Sequence, residues 1–203
     1  MRTEPMDLRI DLGAARNQGQ RPTCLAFSLS DVHRARRGDP DLLSPESLHR
    51  LGAQRAKKSP DLALFISEAI AGLDQDGQTT EAAWPYKYDK PVDANCLYYK
   101  NLANHSGFDE SVAIDAIRAG EPIVLVLDID MAFFSYLAAT TLDFDPNLQI
   151  EARHAVVICG CRAGPAGPEY LIKNSWGESW GDKGHAWATL AYIEARNPEM
   201  IRI

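Results

Sequence analysis

The sequence predicts an α+β fold: a helical half, a β half, and a cleft between them. Three observations predict it. Apolar residues recur at helical spacing up to Leu73, short apolar runs bounded by Gly, Pro and Asp follow Pro122, and no internal repeat or low-complexity tract breaks that order. At 203 residues, 45% hydrophobic and 24% charged, the chain suffices for one large domain or two small subdomains sharing a core.

The first helix runs from Cys24 to Arg37. Leu25, Ala26, Leu29 and Val32 share one side, His33 falls on the polar side, Arg34, Arg36 and Arg37 fill the last turn, and Gly38 ends it. A second helix begins with Ser44 as N-cap and Pro45 at the first helical position, with Leu43 and Leu48 spaced as a hydrophobic staple. A third is expected from about Pro60, because Leu62, Phe65, Ile66, Ala69, Ile70 and Leu73 recur at helical intervals. Gln75 to Thr80 reads as a turn, Trp84-Pro85-Tyr86 as an extended segment, and His105 lies in a polar loop.

The period then changes. A short helix from Ser111 to Ala119 is closed by Gly120 and Pro122, and Ile123 to Ile129 reads as a buried strand. Ala155 to Cys161, Tyr170 to Lys173, His185 to Leu190 and Met200 to Ile203 follow as strands of an antiparallel sheet or barrel. The division expected is a mainly helical subdomain, 1–108, carrying Gln18 and Cys24, and a β-rich one, 109–203, carrying His154 and Asn174, together forming one domain overall.

The net charge of -7 arises entirely in the second segment: 14 Lys and Arg balance 14 Asp and Glu up to residue 108, against 7 and 14 thereafter. Such a chain lacks the basic face that nucleic acid requires, and its acidic half would steer basic peptides or proteins toward it. No apolar run approaches the ~20 residues of a membrane span, and the first thirty residues hold no signal-peptide core. Neither nucleic acid nor membrane is an expected partner. Cys24, Cys96, Cys159 and Cys161 do not form a disulfide framework, which fits a reducing, cytoplasmic compartment. Cys159 and Cys161, two apart in a strand, are expected on one face as core packing. No second Cys/His pair accompanies them, so no metal or cofactor is expected.

Cys24 stands where a Gly/Pro-containing loop, Gly19 to Thr23, meets a helix. A thiol at a helix N-terminus faces unpaired N–H groups and the positive end of the dipole, and beside an imidazolium it can titrate as low as roughly 3 to 4. Gln18, six residues earlier, offers an amide that could join the Cys24 backbone N–H in holding an oxyanion. His154 directly precedes an apolar strand, and Asn174, twenty residues later, could accept from its ring and fix the tautomer, with Trp176 shielding that bond from water.

These residues resemble the papain-like cysteine peptidases. Asn17-Gln18-Gly19-Gln20-Arg21-Pro22-Thr23-Cys24-Leu25-Ala26-Phe27-Ser28 is similar to that family's N-Q-G-x-C-G-S-C-W-A-F-S, and His154-Ala155-Val156 to its H-A-V. Tyr170 to Gly184 is similar to its Y-W-x-I-K-N-S-W-G-x-x-W-G-x-x-G, while Trp84-Pro85-Tyr86 and Glu121-Pro122-Ile123-Val124 resemble its Y-P-Y and G-P-V segments. The resemblance spans nearly the whole chain in the same order. It implies a papain-like fold of two subdomains and a thiol protease acting through a thioester. By resemblance Cys24 is the nucleophile, His154 the acid and base, Asn174 the group orienting it and Gln18 an oxyanion donor, with Trp176 and Ala155 shaping the site; Arg153, beside the histidine but outside the family pattern, is expected to shape it too. The same residues would serve an amidase, deamidase or transpeptidase. A catalytically inactive binding module is the third reading, against which the intact Cys24, His154 and Asn174 argue.

The departures from the family pattern are informative. Arg21 replaces the cysteine three residues before the nucleophile, so the family's disulfide there cannot form, and Leu25 replaces the usual Trp. Lys57 to Asp61 occupies the neighbourhood of the missing glycine-rich strip, which bears on side-chain preference. Arg153 replaces the Asn or Asp commonly found before the histidine, placing a cation either beside the imidazole or in a pair with Glu151 or a substrate carboxylate. Only 23 residues precede Cys24, about what the family's mature chain has, so the resemblance implies either a sequence that starts at the mature domain or an enzyme controlled without an inhibitory pro-segment. The expectation is therefore a specific intracellular protease, or a toxin or effector domain delivered to a target cell's cytoplasm, with a protein or peptide substrate and a dedicated inhibitor or immunity protein as partners.

Overall fold

Residues 123–130 form the strand at the centre of the molecule, and their apolar character on both faces requires cover on both. The computed structural model describes residues 5–138 and 140–203. In chain order the elements are β1 (Met6–Asp7), α1 (Arg9–Leu12), α2 (Cys24–Arg37), α3 (Pro45–Arg55), α4 (Ile66–Gln75), β2 (Asn104–Gly107), α5 (Glu110–Arg118) and β3 (Ile123–Asp130). Then come α6 (Met131–Phe134), β4 (Thr141–Leu142), β5 (Ile150–Gly164), β6 (Gly167–Lys173), β7 (His185–Thr189), α7 (Leu190–Glu194) and β8 (Glu199–Arg202). Val124 and Val126 of β3 pack with Ala155 and Val157 of β5 against Leu25, Ala26 and Leu29 of α2. Ile123, Leu125 and Leu127 face the other way, into a second core with Ile117 of α5 and Tyr192 of α7.

The α+β fold is as expected, but the sheet is open. Its strands run in the order β2-β8-β3-β5-β6-β7-β4, with β1 added to β5, and among the described residues β2 and β4 end the path rather than pairing into a closed barrel. All pairs are antiparallel except β4 with β7. β2 is polar and exposed at every residue, as an edge strand can be. His105 therefore belongs to a strand, not a loop, and both β1 and β2 join the sheet built mainly by residues after 109.

Three local expectations are corrected. The third helix starts at Ile66, not Pro60. Glu68 accepts the Phe65 N–H at 2.7 Å and pairs with Lys58, so Leu62 and Phe65 remain in an exposed loop despite their spacing. Cys159 and Cys161 face opposite cores, because a register shift against β6 between Ile158 and Gly160 breaks the two-residue alternation. His33 is fully buried, its Nδ1 2.7 Å from Gln78 Nε2, although its spacing places it on the polar side of the helix.

Candidate active site

Cys24 is the first residue of α2, and the burial of Leu25, Ala26 and Leu29 fixes that helix against the sheet. Thr23 does not cap the helix with its side chain, because its hydroxyl lies 2.8 Å from the Tyr86 hydroxyl. The first-turn N–H groups beside the partly exposed thiol therefore have no side-chain cap, which favours negative charge there. Cys24 opens onto a cleft of about 530 Å³ that Gln18, Arg153, His154 and Trp176 also line. An adjoining cavity of about 570 Å³ continues from Cys24 and Ala155 toward Leu64 and Phe65.

His154 lies within β5, opposite Leu127 of β3, rather than at a strand end. Its Nε2 is 2.7 Å from Asn174 Oδ1, and that oxygen also accepts the Ser175 N–H at 2.8 Å. A carbonyl oxygen only accepts, so Nε2 carries the ring proton and Nδ1 keeps its lone pair. Asn174 follows β6 directly, and its own N–H donates to Gly184 O at 2.9 Å, a contact that fixes where its side chain starts. The Trp176 ring centre is 4.9 Å from that of His154, the Phe133 ring packs on the imidazole from 5.7 Å, and Phe134 stacks on Trp176. Aromatic cover of this kind keeps water from competing for the His154 to Asn174 bond.

Gln18 is buried, and its amide is held at both ends. Nε2 donates to Arg21 O at 2.8 Å, while Ser175 Oγ donates to Oε1 at 2.5 Å. These bonds use one of the two amide N–H groups and leave the other for a ligand in the cleft. The Arg153 guanidinium donates to Asp128 Oδ1 at 2.9 Å, Asn197 O at 3.0 Å and the Glu199 carboxylate. It is engaged away from the imidazole, with partners other than Glu151. Ala155 borders the adjoining cavity, and its backbone acts on the Cys24 thiol.

Burial raises the Cys24 thiol above its ordinary value, opposed by hydrogen bonding from the backbone of Ala155, Leu25 and Cys24 itself. Burial also lowers the His154 imidazole to about 4, opposed by the bond to Asn174. Both shifts favour neutral groups in the unliganded cleft, the reverse of the lowered thiol suggested by a helix N-terminus alone. Ser175, Tyr86 and Arg21 O escaped the sequence reading as site residues. Ser175 and Tyr86 lie inside recognised motifs, but nothing in their spacing reveals which donor each one satisfies.

The arrangement unites a nucleophile, a base in a fixed tautomer and amide donors on one cleft, a combination suited to acyl transfer. A family model described as "Papain family cysteine protease" matches residues 65–195, a range that includes His154 and Asn174 and begins after Gln18 and Cys24. The chain is 28% identical over 185 residues to cathepsin K of Mus musculus, an alignment covering 84% of this chain and 54% of that protein. It spans about half the length of the curated relatives it matches. Its fold is shared with proCathepsin B S9 from Trypanosoma congolense, at TM-score 0.82 and 14% identity over 98% of this chain and 77% of that one. Xylellain, a cysteine protease from Xylella fastidiosa, superposes at TM-score 0.75 and 18% identity over 100% of this chain and 87% of its own. With the papain-like fold shared along its length and more than half its residues matched by the family model, the chain belongs to the papain family of cysteine proteases.

Proposed function

We propose that this chain is a cysteine endopeptidase acting on protein or peptide substrates. The observation that carries the reading is the Nε2-protonated His154, locked on Asn174 in a cleft that it shares with Cys24. Burial penalises a lone thiolate and a lone imidazolium alike. Passing the Cys24 proton to His154 Nδ1 adds no net charge, so the ion pair forms at far lower cost than either ion separately. The Cys24 sulfur then bonds to the substrate carbonyl carbon, and the carbonyl oxygen becomes an oxyanion held by the Gln18 amide and the Cys24 N–H. His154 gives its proton to the leaving amine as the C–N bond breaks. Water enters the thioester by the reverse sequence: His154 takes its proton, the hydroxyl bonds to the acyl carbon, and the thiol leaves.

Specificity and control belong to the same reading. The segment that replaces a glycine-rich strip is pinned by Lys58 on Ala63 O at 3.0 Å, and Ala63, Leu64 and Phe65 stand beside the cleft. Side chains there narrow the sequences admitted, and we infer a restricted set of protein targets. The four free thiols favour a reducing compartment, either the cytoplasm of the producing cell or that of a target cell reached by a toxin or effector. A separate inhibitor protein covering the cleft, with the exposed Phe65 and Phe134 as its apolar contacts, would restrain such an enzyme.

The test is kinetic. Cys24→Ala and His154→Ala should each lower kcat by orders of magnitude while the protein stays folded, and the double variant should be little worse than either. Losses that multiply in the double variant would contradict the mechanism.

A further inference from the structure

The loop carrying Gln18 is anchored by a buried carboxylate that lies outside the cleft. Glu46, in the first turn of α3, is fully buried and accepts from two segments of chain. From one side the Arg21 guanidinium grips it with both terminal nitrogens, Nη2 lying 3.0 Å from Oε1. From the other the Lys87 N–H donates to Oε2 at 2.8 Å. Arg50 Nε, one turn along α3, completes the set at 2.5 Å from Oε1.

Both segments end on Gln18. The Arg21 carbonyl receives the Gln18 side-chain amide, and Tyr86, directly before Lys87, donates its hydroxyl to the Gln18 backbone carbonyl at 2.8 Å. Lys87 adopts φ 72, a left-handed conformation unfavourable for a residue with a Cβ, and its bond to Glu46 holds it there. The Arg21 guanidinium also lies 5.0 Å from the Tyr86 ring centre, closing the ring of contacts. Arg21 is the residue that departs from the family's cysteine, so an ion pair tethers this loop where a disulfide would otherwise do so.

We propose that Glu46 is the positioning residue of the oxyanion donor: through Arg21 on one side and Lys87 and Tyr86 on the other, it sets the orientation of the Gln18 amide. The inference rests on the peptidase reading of Cys24 and Gln18. The neighbouring cations keep the Glu46 carboxyl below its usual range despite burial, so the anchor is charged at neutral pH. An amide held within tenths of an ångström stabilises an oxyanion strongly, while a displaced one costs rate without altering nucleophile or base.

The experiment compares two ligands of Cys24. An N-acetyl dipeptide aldehyde forms a tetrahedral hemithioacetal whose oxygen needs the oxyanion donors, whereas iodoacetamide alkylates the sulfur without generating an oxyanion. In Glu46→Gln the aldehyde inhibition constant should rise about tenfold or more, with kcat falling by the same factor and KM held, while the alkylation rate changes less than about twofold. Arg21→Met removes one arm, leaves Glu46 with Arg50 and Lys87, and should give the same pattern, so the test survives if Glu46→Gln does not fold. An aldehyde constant within about twofold of wild type in either folded variant would overturn the proposal, as would alkylation falling in parallel with aldehyde affinity. Wild-type protein that is alkylated at Cys24 yet does not bind the aldehyde would instead overturn the peptidase reading.

Discussion

Asn174 Oδ1 accepts from His154 Nε2 at 2.7 Å and from the Ser175 N–H at 2.8 Å, so one oxygen ties the imidazole to the backbone of the turn that carries it. The second bond prevents the amide from rotating to present its nitrogen, which would face a ring N–H with another donor. Asn174→Ala removes this orientation and leaves thiol and imidazole in place. Its kcat should fall by roughly 10- to 100-fold, less than in Cys24→Ala; a loss as complete as that of Cys24→Ala would assign Asn174 a different role.

Four buried histidines, His33, His49, His154 and His185, make stability depend on pH, because burial lowers the pKa of each. Burial, reinforced by Arg37, lowers His33 to about 4, and burial lowers His154 to about 4. A depressed folded-state pKa means that the unfolded chain takes up the proton first. The contribution is intact above pH 6.5, declines as pH falls toward 4, and is gone below that. The His33 share amounts to about 3 kcal/mol at most. Urea unfolding across this range should therefore show falling midpoints, and His33→Leu should flatten the decline while lowering stability at pH 7, because Gln78 loses its acceptor. A slope unchanged in His33→Leu would remove His33 as a source.

A buried ion pair joins the helix of the nucleophile to the end of the strand that precedes the asparagine. Lys173 Nζ lies 2.7 Å from Asp31 Oδ2 and 2.8 Å from Leu12 O, and Arg16 holds the other Asp31 oxygen at 2.8 Å. Lys173→Met strips one partner from a buried carboxylate and should cost about 3 kcal/mol in denaturant unfolding. The double variant with Asp31→Leu should recover part of that loss, since it no longer leaves the charge without its lysine. An additive double variant would mean that the pair is not coupled.

The sequence was most legible where one segment carries its own signal. The start of α2 at Cys24 and Ser44 as N-cap follow from local pattern, and the Ser47 N–H does donate to Ser44 Oγ; the contact of His154 with Asn174 is expected from the resemblance of their two motifs to the family's. What escaped depends on distant partners. Leu62 and Phe65 continue the spacing of α4, yet Lys58 and Glu68 end the helix before reaching them. His33 falls on the polar side of its helix by spacing, and only Gln78, 45 residues on, explains its burial. Arg21 was read as a missing cysteine, whereas its meaning lies in Glu46, which no spacing connects to Gln18.

The measurement that bears most directly on the central claim is a digest of a whole-cell lysate by wild type and by Cys24→Ala, with new protein N-termini mapped by mass spectrometry. The account predicts new termini with wild type alone, clustered on a limited set of proteins and sharing a sequence preference around the cut. No new termini, accompanied by loss of glutamine or asparagine side-chain amides, would contradict peptide-bond hydrolysis and identify a deamidase built on the same residues.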